Sequence, residues 1–361
     1  MLNRMFVTGL LAALLLALGA ATAAAAPGHS GAVVFSRVVV KTTKDKEGKE
    51  TKAAEGGLYA VRDGRLNQLT EDPTDTEPDF SPDGRAIAYV RGGDVFSVRA
   101  DGSGLRRLTS GGELDSAPTV SPSGKLVLFE RRASAGAPGD LYAVNILGGG
   151  ARAVTSTPED DHEASFSADG RLIVFVRSSS AADDLYSVRP SGARATRLTR
   201  TGRIDEFNPR YFAAGIVYSR GESGEAPSAY ADVYTMRRNG RKVQPLVAGA
   251  GSAYVEDVVP NGRTVLFRRD QGLWVKQIGP KRASKLSQLP DGSETNAVFS
   301  SDGKRVAAFI EVDGREQLSS ISVSNGSAVE LAEGFEPLEP STEPGTVTTL
   351  GPVITWQPVR R

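Results

Sequence analysis

Any chemistry in this chain has to come from carboxylates, arginines and very few imidazoles. The 361 residues include no cysteine, which excludes thiolate nucleophiles, thiolate metal sites and disulfides. The two histidines are His29 and His162. His162 stands beside Asp160, Asp161 and Glu163, a set whose types would suit a metal ligand or a general base. His29 lies in the first residues, where no ordered partner is expected. A facial metal site therefore has no second imidazole, and His162 reads as a solvated histidine among acids. No metal or other cofactor is expected.

Acids and arginines recur at equivalent positions. Asp75, Asp115, Asp161, Glu206 and Glu294 each stand five residues before an aromatic residue or valine. Asp94, Asp140, Asp184 and Asp232 open a second apolar run. Arg37, Arg91, Arg131, Arg177, Arg220 and Arg269 close the run before it, and Glu311 takes that place once. One reading is structural: each arginine pairs with an acid on its own side of the fold, first of all Arg91 with Asp94 and Arg177 with Asp184. The other is a charged rim that selects a partner peptide or a cation. Its members would be the five acids of the first set, His162, and Arg91, Arg131, Arg177, Arg220 and Arg269.

These residues are positioned by a repeat. Pro78-Asp79-Phe80-Ser81-Pro82-Asp83-Gly84 returns as Pro118-Thr119-Val120-Ser121-Pro122-Ser123-Gly124 and as Ala164-Ser165-Phe166-Ser167-Ala168-Asp169-Gly170. Weaker copies end at Gly215, Gly262 and Gly303. The glycines lie 40, 46, 45, 47 and 41 residues apart, the period of a propeller blade. Each unit reads as four strands, A to D. Strand A precedes a Ser-Pro-Asp-Gly turn, strand B is apolar, strand C follows Asp-Leu-Tyr-x-Val, and strand D ends in Leu-Thr. Asp83, Asp169 and Asp302 read as turn formers.

The two ends complete each other. Residues 32–70 hold strands B, C and D without an A, and Ile354-Thr355-Trp356-Gln357-Pro358 matches Pro78 to Pro82. The expectation is an all-β, seven-bladed propeller of four-stranded antiparallel blades. Blade 1 consists of 32–70 plus 352–358, closed by the C-terminal strand, within one domain over 26–361. Two long polar connections in blade 1, Val38 to Gly56 and Leu331 to Gly351, read as mobile loops on the face of the B-to-C and D-to-A connections.

The Leu-Thr, Pro-x-Phe-Ser-Pro-Asp-Gly and Asp-Leu-Tyr elements resemble the TolB-like, WD-related propeller repeat over nearly the whole chain after the leader. That resemblance implies the architecture and leaves function open. TolB itself carries a further α/β domain before its propeller; here the first strand follows the leader within about ten residues, which leaves no place for it. Propeller-bearing prolyl oligopeptidases add a hydrolase domain, and no Gly-x-Ser-x-Gly elbow occurs here. Pectate-type propeller lyases use clustered histidines, which this chain lacks.

Residues 1–25 read as a secretory signal: Arg4, an apolar Leu10 to Leu18, then small residues with a cut after Ala23, Ala24 or Ala25. The expected product is periplasmic or extracellular, with no membrane span. Lysine plus arginine and aspartate plus glutamate are equal at 43 each, which argues against nucleic acid as a partner. The expected function is a monomeric, non-enzymatic binding module for a protein or peptide. The alternative is a hydrolase or lyase acting on a small molecule or glycan with carboxylates at the channel mouth.

Overall fold

The computed structural model describes residues 31–44, 50–222, 231–249, 251–259, 262–289, 297–312, 315–331 and 346–356. The leader over 1–25 and Glu294 lie outside them. Seven four-stranded antiparallel sheets form, each ordered A-B-C-D. Blade 2 comprises Asp75–Phe80, Ala86–Arg91, Asp94–Arg99 and Arg106–Arg107. The A strands of blades 3 to 7 are Leu114–Val120, Asp160–Phe166, Ile204–Phe212, Ala253–Val258 and Val298–Phe299. Successive A strands touch all the way round, and the strand Thr346–Trp356 joins the last to the first. That strand pairs with Val33–Lys44, from Val33↔Trp356 to Lys41↔Thr346, and supplies strand A of blade 1. The result is a closed seven-bladed β-propeller.

The side-chain period of two builds the core. Along strand B, alternate residues point to opposite neighbours. Val33 and Phe35 pack with Phe309, Leu318 and Ile354 against blade 7, while Val34 packs with Leu58, Ile87 and Tyr89 against blade 2. Seven such clusters fill the seven gaps between blades. Phe35, Phe129, Phe175, Phe267 and Phe309 are each fully buried, contributing about 1.5–3 kcal/mol apiece.

The repeat motifs have local causes. In the Ser-Pro-Asp-Gly turn, Ser81 Oγ donates to Asp83 Oδ1 (2.7 Å), the Arg85 amide donates to the same carboxylate, and Gly84 takes φ 67°. Ser167 with Asp169 and Ser300 with Asp302 repeat it, so these acids form turns. The Leu-Thr threonine caps strand C: Val95, Leu141 and Leu185 amides donate to Thr109, Thr155 and Thr199.

Blade 1 departs from expectation. Within the stretch from Val38 to Gly56, residues 38–44 and 50–56 are strand and not loop. Strands B and C continue as a paired hairpin through Lys44↔Glu50, and strand A runs alongside from Thr346. The β-branched run Val38-Val39-Val40 and Thr42-Thr43 favours this extension. Residues 332–345 lie outside the described region.

Candidate functional site

The first acid set forms clamps inside the blades. Arg91 donates from Nε and Nη2 to both oxygens of Asp75, at 2.6 and 2.8 Å. Arg131 holds Asp115 at 2.7 and 2.8 Å, and Arg177 holds Asp161 at 2.6 and 2.7 Å. Asp75, Asp115 and Asp161 are 0%, 3% and 0% exposed, so these carboxylates face their arginines and not solvent. Each guanidinium also lies over two rings, such as Phe129 and Tyr142 for Arg131. The expected pairings of Arg91 with Asp94 and Arg177 with Asp184 are not the ones made. Those acids stand opposite the arginines in register, but Asp94 binds Arg107 and Asp184 binds Arg197. The outcome is a row across the blade, acid-arginine-acid-arginine from strand A to strand D. The buried strand-A acid has no other counter-charge, so it takes the strand-B arginine.

Blade 5 varies the clamp. Glu206 is also 0% exposed, but its extra methylene leaves it 3.6 Å from Arg220 Nε, and Oε2 has no partner. Thr201 donates to Oε1 at 2.7 Å. Burial pushes the Glu206 carboxyl up to about 7. In blade 6 the equivalent position is Ala253, opposite Arg269, and Arg268 approaches Glu256 at 3.6 Å instead. His162 contacts Ser178 Oγ at 3.0 Å. No group of three metal-ligating side chains is assembled among the described residues.

The clamps hold the A strands, and the A strands carry a second site. Just before each strand-A aromatic or valine stands one residue per blade, the sequence Thr355, Asp79, Thr119, Ser165, Arg210, Asp257, Val298 round the ring. This position reaches the next blade: the Val120 amide donates to Asp79 (2.7 Å), the Phe299 amide to Asp257 (2.8 Å) and the Phe80 amide to Thr355 Oγ1 (3.4 Å). Asp79 in blade 2 interacts electrostatically with Asp257 in blade 6 and Arg210 in blade 5. Interactions among blades so far apart in the ring run across the central channel.

A β-bulge two residues earlier adds further acids. Glu77, Ala117, Glu163 and Asn208 sit there with φ of 50–53°, a conformation that non-glycine residues take only when neighbours hold it. Their amides aim at the preceding blade: Ala117 donates to Glu77, Glu163 to Glu130 and Asn208 to Glu163. Burial, followed by repulsion from Asp257, raises Asp79 to about 7; burial likewise raises Glu256 to about 7 and raises Asp257. These groups lie deep in the ring yet keep partial exposure, consistent with facing the channel.

A pH dependence follows. The folded state holds Asp79 and Glu256 with pKa values above their unfolded ones of 3.8 and 4.5, so it favours their neutral forms. The stability this contributes is complete below about pH 4 and is lost as pH rises through 7. Asp79→Asn keeps an oxygen to accept from Val120 while removing the charge. Urea unfolding at pH 4.5 and 7.5 should show the wild type losing stability over that interval and the variant losing less; equal losses would contradict the assignment.

Sequence reasoning missed the channel residues. Their signal is a single column of the repeat, visible once the copies are aligned, in which three of seven members are charged.

The model of the dipeptidyl peptidase IV N-terminal region matches residues 35–118. No curated protein matches the chain in sequence. Solved structures share the fold. TolB from Acinetobacter baumannii superposes with a TM-score of 0.55 at 14% identity, covering 90% of this chain and 83% of that one. Oligogalacturonate lyase from Vibrio parahaemolyticus gives 0.59 at 12% identity, covering 80% and 97%. A puromycin-hydrolyzing peptidase of Mycobacterium tuberculosis gives 0.59 at 13%, covering 83% of this chain and 53% of that protein. At these identities the likeness establishes a TolB-like propeller fold, shared by proteins of different activities.

Proposed function

We propose that this propeller is an exported binding module that takes a protein or peptide partner on the face of its B-to-C and D-to-A connections. The observation that carries the reading is the division of labour among its charges. The rim pairs are closed on one another and fix the scaffold, while the channel presents Asp79 and Asp257 with Arg210 as the facing cation. A stiff ring with an acidic axis suits an extended peptide that enters from that face and carries a lysine, arginine or terminal amine along the channel to Asp79 and Asp257, which stand toward the Ser-Pro-Asp-Gly end of their strands. The candidate rim acts in this reading through its geometry: Asp75, Asp115, Asp161 and Glu206 are buried, and the surface offered is the loops they hold. The leader over 1–25 delivers the chain to the envelope or beyond. No helix among the described residues is long and apolar enough to cross a membrane.

Affinity capture with the propeller as bait, read by mass spectrometry, should recover a partner that Asp79→Asn/Asp257→Asn releases and that Asp83→Lys/Asp169→Lys retains. Retention by the channel variant, with loss in the turn variant, would overturn this reading.

A second reading has its own observation. Asp257 raises the proton affinity of Asp79, and an inequivalent carboxylate pair of this kind can divide acid and base roles. A lyase or hydrolase acting on a small molecule or glycan would then lose its activity with either single variant, whereas a binding module has no turnover to lose.

A further inference from the structure

The balanced total charge conceals a radial separation. The described A strands, innermost in the ring, contain eleven aspartates and glutamates and one basic residue, Arg210. The segments from the end of strand C through strand D form the outer wall: residues 62–65, 99–107, 145–153, 189–197, 237–247, 276–288 and 322–330. They contain seventeen lysines and arginines against three acids. Fifteen of the seventeen are exposed.

Charge on an edge strand ordinarily prevents sheets from pairing edge to edge. Either sign does that, and a mixture does it equally well, so edge protection leaves a seventeen-to-three ratio unexplained. Nor are these cations there to neutralise neighbouring acids. Arg107, Arg197 and Arg238 pair with Asp94, Asp184 and Asp169. The segments 145–153, 189–197, 237–247 and 276–288 themselves contain no acid. The basic residues occur in six successive blades and stop at blade 7, whose wall carries Glu330 and no base.

We infer that the outer wall binds a linear polyanion that follows the circumference of the ring. The shape of the belt selects this occupant. A flat anionic bilayer can touch a convex wall along one arc, which would leave most of the six blades' charge without use. A flexible chain bearing one oxyanion per repeat can follow the wall from blade to blade. Thirteen of the seventeen cations are arginine, whose planar fork suits phosphate and carboxylate oxygens. The convex wall offers contacts to a charged backbone and no cleft, so binding should be independent of polymer sequence and steeply dependent on salt.

The test uses long-chain inorganic polyphosphate and, separately, vesicles of phosphatidylglycerol with phosphatidylcholine. Two variants reverse opposite arcs: Arg237→Glu/Arg241→Glu/Lys242→Glu in blade 5 and Arg99→Glu/Arg106→Glu in blade 2. All five side chains are exposed, and thermal unfolding checks that both variants fold. Polyphosphate should bind the wild type at low salt, with log affinity falling linearly in log salt. Each variant should weaken it by about tenfold and flatten that slope. Absence of polyphosphate binding at low salt would overturn the inference. So would sensitivity to one arc alone, or vesicle binding lost by one arc without polyphosphate binding, which would assign the charge to a membrane face.

Discussion

Removing residues 346–361 should abolish cooperative unfolding. Strand Thr346–Trp356 supplies the inner strand of blade 1, and Ile354, 2% exposed, completes the cluster of Val33, Phe35, Val61 and Phe309 between blades 1 and 7. Without it, strand Val33–Lys44 loses one of its two neighbours and becomes an open edge with unpaired backbone groups. Two blade interfaces lose their inner end together, since Thr355 also accepts from Phe80 in blade 2. A truncated chain should show a broad, low-temperature transition in calorimetry and bind a hydrophobic dye. A synthetic peptide covering 344–358, added to it, should restore a sharp transition. A truncated protein with the wild-type melting curve would refute closure by this strand.

The second large effect is expected at the clamps. Arg131→Ala leaves Asp115, 3% exposed, without its two charge-assisted hydrogen bonds and takes a cation from between Phe129 and Tyr142. Breaking a buried pair by removing one partner costs about 3–5 kcal/mol. The melting temperature should fall on the order of 10 °C. Arg220→Ala should cost distinctly less, because Arg220 sits 3.6 Å from Glu206, which already has an unpartnered oxygen. The double variant Asp115→Asn/Arg131→Met should lose less than the sum of its singles, because no charge is left buried alone. Equal costs for Arg131→Ala and Arg220→Ala would show that ring packing, and not the bidentate pair, sets the energy. The same variants bear on function, since a charge reversal at Asp115 or Asp161 unfolds the scaffold before it reports on binding.

The architecture was legible because its causes are local. A Gly84 at positive φ, a serine and aspartate closing the turns at Gly84, Gly170 and Gly303, and alternation along Ile87 to Val90 are all written within a few residues of each other. The closing strand was legible for the same reason, since Ile354-Thr355-Trp356 copies a neighbour's motif. The clamp partners were harder. Arg91 has Asp94 opposite it on one side and Asp75 on the other, and sequence alone does not say which acid is buried. The channel residues were harder still. Asp79 lies inside a motif whose other members make a turn, while Arg210 and Asp257 fall in the degenerate copies. Their proximity exists only once seven blades have closed into a ring. The charge balance hides a difference for a related reason: a sum over the chain does not distinguish its innermost strands from its outermost. The stretch from Val38 to Gly56 reads as loop because its lysines and acids suggest solvent, although its valines and threonines at 38–43 pair with 51–56 as strands.

The joining of Val33 to Trp356 also imposes an order in time. More than three hundred residues separate these partners, so the contact that locks the ring waits until all six other blades have been made. Blades 2 to 6 can assemble from neighbouring segments as each emerges, but blade 1 waits with its inner position empty until the final strand arrives. Until the closing strand is made, the lock cannot form. The seam of the ring thus works as a clock, marking the moment at which a growing polypeptide becomes a finished disc.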